Sequence, residues 1–417
     1  MIDVLMIGGG PAGSAAALRL AQLGHAVRLV ERSSFPRPHV GESLSPGVWV
    51  HFATLGVLER IERAGFRLAF ETLLRWRGET ERIVTERPSL IVDRARFDAL
   101  LLDAARAAGV DVRQPAEISD ADVRNARFVI DASGRAGVTR RPRRPTAPRL
   151  LAWHARWPAA ARRETLVERL GDAWLWGTAL PDGTFSAMKF GGDAAPMRDA
   201  LQRSELFAWL GDPIERPRAV DATPYVCDAP IDARGAAVGE AAFAIDPISS
   251  SGVQTALASS IAAAIAINTI LRRPEDAAAA IAFYTAHVAR ASARHTAWAA
   301  ESYAPQPLSD APPIAIDDAA LLAANHDAAV TVPLARGDFV ELAPAIRTAS
   351  GDAVAFLGET PLAPLVASLT SPAPAHRIVE RWSATMPRRR AAEVLAWLVE
   401  QRAVVAAAPS PTPVSNP

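Results

Sequence analysis

The chain has 417 residues, half of them hydrophobic, and its 45 basic side chains balance 45 acidic ones. That length supports two or three packed units, and the composition excludes a disordered or fibrous chain. Zero net charge excludes a global basic field for nucleic acid or an anionic membrane, and one cysteine, Cys227, excludes an internal disulfide, so a cytoplasmic protein is expected.

Strand-like and helix-like segments alternate from the N-terminus to about residue 145, as a parallel sheet wound with helices requires. Residues 4–7, 12–23 and 26–30 predict one βαβ unit, and the apolar run at 3–7 meets a glycine cluster at once, so no targeting peptide is expected. Phe97, Leu100, Leu101 and Ala104 repeat with a helical period over 96–108, and strands are expected at 110–112 and 128–130. The Arg/Pro-rich stretch 140–148 predicts a linker, and the tryptophan-rich segment 150–230, with the turn Pro181-Asp182-Gly183, predicts an inserted antiparallel sheet able to cover a substrate.

Residues 256–271 carry Ser259, Ser260 and Asn268, and at about 16 residues they fall short of the roughly 20 a membrane span needs. A buried Ala-rich helix is expected there, followed by a second near 275–302 and a proline-crowded boundary at 304–316. The domain reading is therefore 1–149 and 231–303 as two parts of a nucleotide-binding domain, 150–230 as the sheet, and 318–407 as a small, mainly helical C-terminal unit. Within that unit, extended pairs at 344–346 and 354–356 precede helices at 362–369, 376–383 and 390–401, and 408–417 reads as a disordered tail.

Gly8-Gly9-Gly10-Pro11-Ala12-Gly13 fits GxGxxG, directly after a strand and opening a helix, and Glu31 follows at the end of the next strand. Gly8 permits the tight turn, Gly10 lets a pyrophosphate approach the backbone, and Gly13 lets the helix pack on the sheet. Glu31 can accept both hydroxyls of an adenosine ribose, which suits FAD or NAD. Asp246-Pro247 ends a turn and Ser249 to Gly252 lead into a helix, so free N–H groups and a positive helix end would face a negatively charged ring. The eight histidines are scattered without metal-ligand spacing, so no metal site is expected, and Gly41-Glu42-Ser43 lacks the G-x-S-x-G form of a hydrolase. Glu42, His39 and His51 are candidate general bases, with no catalytic residue assigned.

Three blocks carry a family resemblance. Glu31 to Leu44 resembles the ER-x-x-FPR-x-x-x-GESL block of FAD-dependent monooxygenases related to flavin-dependent halogenases, Asp131 to Arg135 resembles their DASG-R turn, and Val238 to Val253 their GDAA-x-x-x-DP-x-x-SSG segment, with Glu240 replacing the usual Asp. The resemblance implies an α/β FAD-binding domain of the p-hydroxybenzoate hydroxylase type, with Arg32, Glu42, Arg96, Glu240, Asp246, Ser251 and Gly252 joining the fingerprint residues around FAD. It implies aromatic hydroxylation through a flavin hydroperoxide, with molecular oxygen as cosubstrate. No second GxGxxG follows, so electrons are expected from transient NAD(P)H binding or a partner flavin reductase.

Halogenases of this group need a lysine near the substrate in the stretch after the GES block, where this chain has Arg63, Arg67, Arg75 and Arg77; its single lysine is Lys189. Tryptophan halogenases also place a glutamate in the block that aligns with 246–251, where Ser249 stands. Against this, Trp174-Leu175-Trp176 followed by Pro181 echoes the halogenases' W-x-W-x-x-P signature, at a longer spacing. Hydroxylation is the expectation, with halogenation and a geranylgeranyl-reductase-like flavin reduction as alternatives.

The order of the C-terminal unit resembles the winged-helix peptide-recognition domains of enzymes that modify ribosomal peptides, the alternative being a dimerisation or lid module. The peptide resemblance implies an aromatic residue on a peptide or protein as substrate, as in the hydroxylation of a protein-bound tryptophan during maturation of the tryptophylquinone in quinohemoprotein amine dehydrogenase; otherwise the substrate is a small aromatic molecule.

Overall fold

The computed structural model describes residues 2–158, 162–192, 197–304 and 316–407, and all counts are of those residues. The chain divides into two units, 1–307 and 308–417. The expected boundary lies largely outside the described residues, and the expected tail lies wholly outside them.

Unit 1 opens with β1 (Ile2–Ile7), α1 (Pro11–Gln22) and β2 (Val27–Val30). Strands β3 (Arg67–Arg75) and β4 (Thr80–Ile91) follow, then α2 (Arg94–Ala107), β5 (Asp111–Arg113) and β6 (Ala126–Asp131). Next come β7 (Leu151–Trp157), β8 (Thr165–Leu170), β9 (Ala173–Ala179), β10 (Phe185–Gly191), β11 (Arg218–Asp221) and β12 (Gly235–Ala237). Two long helices, α3 (Gly252–Arg272) and α4 (Ala277–Tyr303), complete the unit.

A five-stranded parallel sheet has the order β12-β6-β1-β2-β5. Its centre is β1, where Val4, Leu5 and Met6 are wholly buried, as a parallel strand covered on both faces requires. Small residues let the helices close on it: Ala15, Ala16 and Ala17 of α1 and Ala263, Ala264 and Ala266 of α3 are all fully buried. By length and composition α3 could cross a membrane, yet two thirds of its apolar stretch is buried inside the unit, as in a core helix.

The second sheet is larger than the 150–230 segment predicted. It runs β11-β7-β10-β9-β8-β3-β4 and ends on the two-residue strand Ser43–Leu44, so 67–91 belong to it. Alternation sorts its side chains onto two faces. Trp157, Leu166, Leu175, Phe185 and Ala187 pack away from the parallel sheet's glycine loop, against Met197, Leu201 and Phe207. Ala152, Trp174, Trp176, Met188 and Phe190 form the other face, with the Trp174 and Phe190 rings stacked at 4.0 Å. The predicted linker at 140–148 contains a short strand, Arg143–Pro145, paired with Tyr225–Cys227.

Unit 2 has its own core, centred on Ile346, Leu362, Ile378, Trp382, Val394 and Leu398. Three helices, α5 (Leu362–Ala367), α6 (Ala375–Trp382) and α7 (Arg388–Glu400), supply most of it. A long antiparallel hairpin, β13 (Ala329–Arg336) with β14 (Phe339–Arg347), extends well beyond the 344–346 segment that was expected.

Candidate functional site

The turn between β1 and α1 is built for close approach by a ligand. Gly8 has φ +104°, and a Cβ there would lie 2.6 Å from the Ala132 carbonyl oxygen; one on Gly13 would lie 1.9 Å from the Gly8 oxygen. Gly10 differs, since its nearest foreign atom would be Arg37 Nη2 at 3.5 Å, so its open side faces the cavity. Helix α1 begins with Pro11 and has neither a capping side chain nor an acidic residue in its first turn, so its N–H groups and positive dipole end stay unspent.

In front of this turn lies a cavity of about 910 Å³, within the range of cofactor sites. Gly8, Gly10, Glu31, Arg32, Glu42, Glu240 and Gly252 all line it. Glu31 is almost wholly buried, accepting from Gly9 N at 2.6 Å and Ser33 N at 2.8 Å. A carboxylate offers about four acceptor positions, so two remain for a diol. Glu240 pairs with Arg135 at 3.3 Å and is about half exposed at the cavity edge. The start of α3 supplies Gly252, Val253 and Ala256, and its N-cap Ser251 makes no side-chain cap bond.

Four of the predicted residues lie off the cavity lining. Gly13 sits beneath the turn, as its packing role demands. Ser251 turns its hydroxyl back onto the Ser249 carbonyl at 2.9 Å, and Ser250, with φ +47°, takes the cavity position. Arg96 is corrected: its guanidinium covers the Phe66 ring at 5.3 Å, whereas Arg94 lines the cavity. The physical reason is helical spacing, because Arg94 and the buried Asp98 share a face at i,i+4 and form a bidentate pair at 2.9 and 3.1 Å. Asp246 is also corrected, since it borders a different chamber, where Tyr303 donates to it at 3.0 Å.

Other residues lay beyond sequence reasoning. Arg37 lines the cavity beside Gly10 and stacks over Phe35 at 4.8 Å. Asp131 accepts from the backbone and hydroxyls of both Ser133 and Thr139, so its oxygens are spent on holding the 131–139 turn. Glu42, fully buried, joins Ser186 at 3.4 Å, His154 at 3.7 Å and Arg156 at 3.8 Å. Burial lowers the His154 pKa, and the Glu42 charge opposes that shift. Of the other candidate bases, His39 lines the cavity, and burial lowers its pKa; the His51 pKa is lowered by burial too. Among the described residues no cluster of three or more His, Cys, Asp or Glu side chains could hold a metal ion.

The residues fit a flavin dinucleotide: a glycine cradle open only at Gly10, an unspent helix end for a diphosphate, a buried carboxylate just after β2 that lines the cavity, and an apolar wall of Trp174, Trp176, Met188 and Phe190.

Comparison with known proteins agrees with that fit. Residues 1–141 match the FAD binding domain family. The chain is 31% identical over 334 residues to a tryptophan 2-halogenase of Chondromyces crocatus, covering 67% of this chain but 64% of that protein, somewhat less than two thirds. Among solved structures, the flavin-dependent halogenase CmlS superposes with a TM-score of 0.78 at 20% identity, covering 97% of this chain and 96% of its own, which speaks for the fold. The peptidyl tryptophan dihydroxylase QhpG, essential for tryptophylquinone cofactor biogenesis, superposes with a TM-score of 0.69 at 25% identity, covering 96% of this chain and 99% of its own. With a match to the FAD binding domain family at its N-terminus and the fold of these solved structures, the chain is similar to FAD-dependent halogenases and hydroxylases.

Proposed function

We propose that the protein is an FAD-dependent oxidoreductase that oxygenates an electron-rich aromatic ring, an indole on a peptide or protein in the sharpest form of the reading. When bound, the flavin supplies electron transfer and oxygen activation. The chain's own share is to bind and orient it. Gly10 and the α1 N-terminus would hold the diphosphate, Glu31 the adenosine ribose and Glu240 the ribityl chain, with the start of α3 beside the ring. The Trp174, Trp176, Met188 and Phe190 wall would keep water from the ring.

The observation that carries oxygenation over halogenation is the position of Lys189. It stands between Met188 and Phe190, which line the cavity, so strand alternation turns it to the opposite face, where it is buried. The arginines after the GES block do not substitute for a lysine, since guanidinium stays protonated. Arg67 is bound to Thr178 and Ala179, and Arg75 to Glu205. The halogenase relative favours halogenation as the second reading. The QhpG likeness, which extends across unit 2, supports a peptide-borne tryptophan, with unit 2 as the holding surface and NAD(P)H or a reductase as electron source. Incubating the protein with FAD, a flavin reductase, labelled oxygen, halide and a tryptophan-containing peptide, followed by mass spectrometry, tests both readings: labelled oxygen in the indole supports the first, and halogen the second.

A further inference from the structure

Asp246 faces away from the FAD cavity, into a second chamber of about 550 Å³ that shares only Trp174 with it among their lining residues. Three aromatic side chains form a box within the chamber's lining, which also includes Thr146, Arg149, Arg169 and Asp172. Trp76 meets Trp174 edge-on at 6.2 Å and Tyr303 at 6.1 Å. The box is also held rigidly, for Trp76 Nε1 donates to the Ser302 carbonyl at 2.8 Å and Arg169 to the Tyr303 carbonyl at 3.1 Å. A chain of hydrogen bonds ends on the carboxylate: Trp174 Nε1 donates to Tyr303 Oη at 3.1 Å, and that hydroxyl donates to Asp246 Oδ1 at 3.0 Å.

The backbone N–H of Ile248 also donates to Oδ1, at 3.0 Å, while no described residue hydrogen-bonds Oδ2. One oxygen of this partly buried carboxylate is twice bonded, and the other is open to the chamber and free to accept from a ligand. Burial holds this carboxyl above the ordinary carboxylate range, as expected where no cation or further donor compensates the charge. Three aromatic rings beside a carboxylate oxygen that no described residue hydrogen-bonds suit a flat ring that carries an N–H.

We propose that this chamber binds an indole ring, stacked among Trp76, Trp174 and Tyr303, whose N–H donates to Asp246 Oδ2. The proposal rests on the reading that the substrate is aromatic, and it assigns Asp246 to positioning that substrate and not to holding the flavin.

The test uses the full-length, FAD-loaded protein and two probes, indole and 1-methylindole, titrated by calorimetry, with flavin absorbance read in every sample. Indole is expected to bind at least about tenfold more tightly than its methylated form, the measure of one hydrogen bond to a charged group. Asp246→Asn, which keeps the acceptor for Ile248, should remove most of that preference and leave 1-methylindole binding and flavin content unchanged. Ala300→Trp, at an exposed position on the chamber's rim, should abolish binding of both. Equal affinity for the two probes, no binding of either, or indole binding untouched by Ala300→Trp would each overturn the proposal. The comparison of probes on the unaltered protein decides the matter even if Asp246→Asn fails to fold. Indole binding as expected with no oxygenated product in the labelled-oxygen assay would leave the chamber standing and defeat the functional reading alone.

Discussion

Glu31 binds the backbone N–H of Gly9 through Oε2 at 2.6 Å, so the carboxylate at the end of β2 ties down the glycine loop that follows β1. In the proposed function the same side chain holds the adenosine ribose. Glu31→Ala should therefore weaken FAD binding by at least about tenfold, because it removes a charged acceptor and loosens the loop together. Glu31→Gln, keeping one acceptor oxygen, should fall between. Equilibrium dialysis against FAD measures both.

Gly13 and Gly10 should respond differently to the same methyl group. Gly13→Ala would drive Cβ to 1.9 Å from the Gly8 oxygen, which the backbone can relieve only by moving α1. Both the melting temperature and FAD content should fall. Gly10→Ala meets nothing nearer than 3.5 Å and should melt normally while losing FAD affinity. Thermal denaturation of the apoproteins beside flavin absorbance separates the two effects.

Stability should decline on mild acidification. Burial, aided by Arg290 and Arg294, pushes the His287 pKa down to about 4, so the fold holds the ring neutral while the unfolded chain accepts a proton near its usual 6.5. The unfolded state thus binds more protons below that value, and this stability is present above about pH 6.5 and lost progressively as pH falls toward about 4. Burial lowers His25, His39, His51, His154 and His295 in the same direction. The melting temperature at pH 5 should lie below that at pH 7.5, and His287→Gln should narrow the gap.

If unit 2 holds a peptide, its exposed basic end is a place to perturb it. Arg388 and Arg389 open α7 and are exposed. Arg388→Glu with Arg389→Glu should raise the KM for a peptide substrate several-fold while leaving FAD content and kcat near their original values. An unchanged KM would remove this surface from the docking account.

The parts of this fold that were legible in the sequence are those set by local spacing. The glycine fingerprint, the period of α2 and the apolar run of β1 each depend on residues within a few turns of one another. Strands β3 and β4 escaped because charged residues such as Glu71, Arg82 and Glu86 interrupt their alternation, and much of β4 is exposed. The Glu42 cluster escaped because its members, Glu42, His154 and Ser186, are brought together only by the second sheet. Arg94 and Arg96 lie two residues apart, and only the burial of Asp98 decides which one turns inward. Asp246 is the hardest case: its neighbours Ile245 and Pro247 line the FAD cavity, and it alone turns the other way.

Lys189 decides the central claim. It is buried on the face of β10 opposite the cavity-lining Met188 and Phe190, so Lys189→Met should change stability before it changes chemistry. The direct measurement is the mass of a tryptophan peptide after turnover by the unaltered protein with reduced flavin, labelled oxygen and excess chloride or bromide. The account predicts an indole carrying labelled oxygen and no halogen, from both the unaltered protein and Lys189→Met; a chlorinated or brominated indole would contradict it.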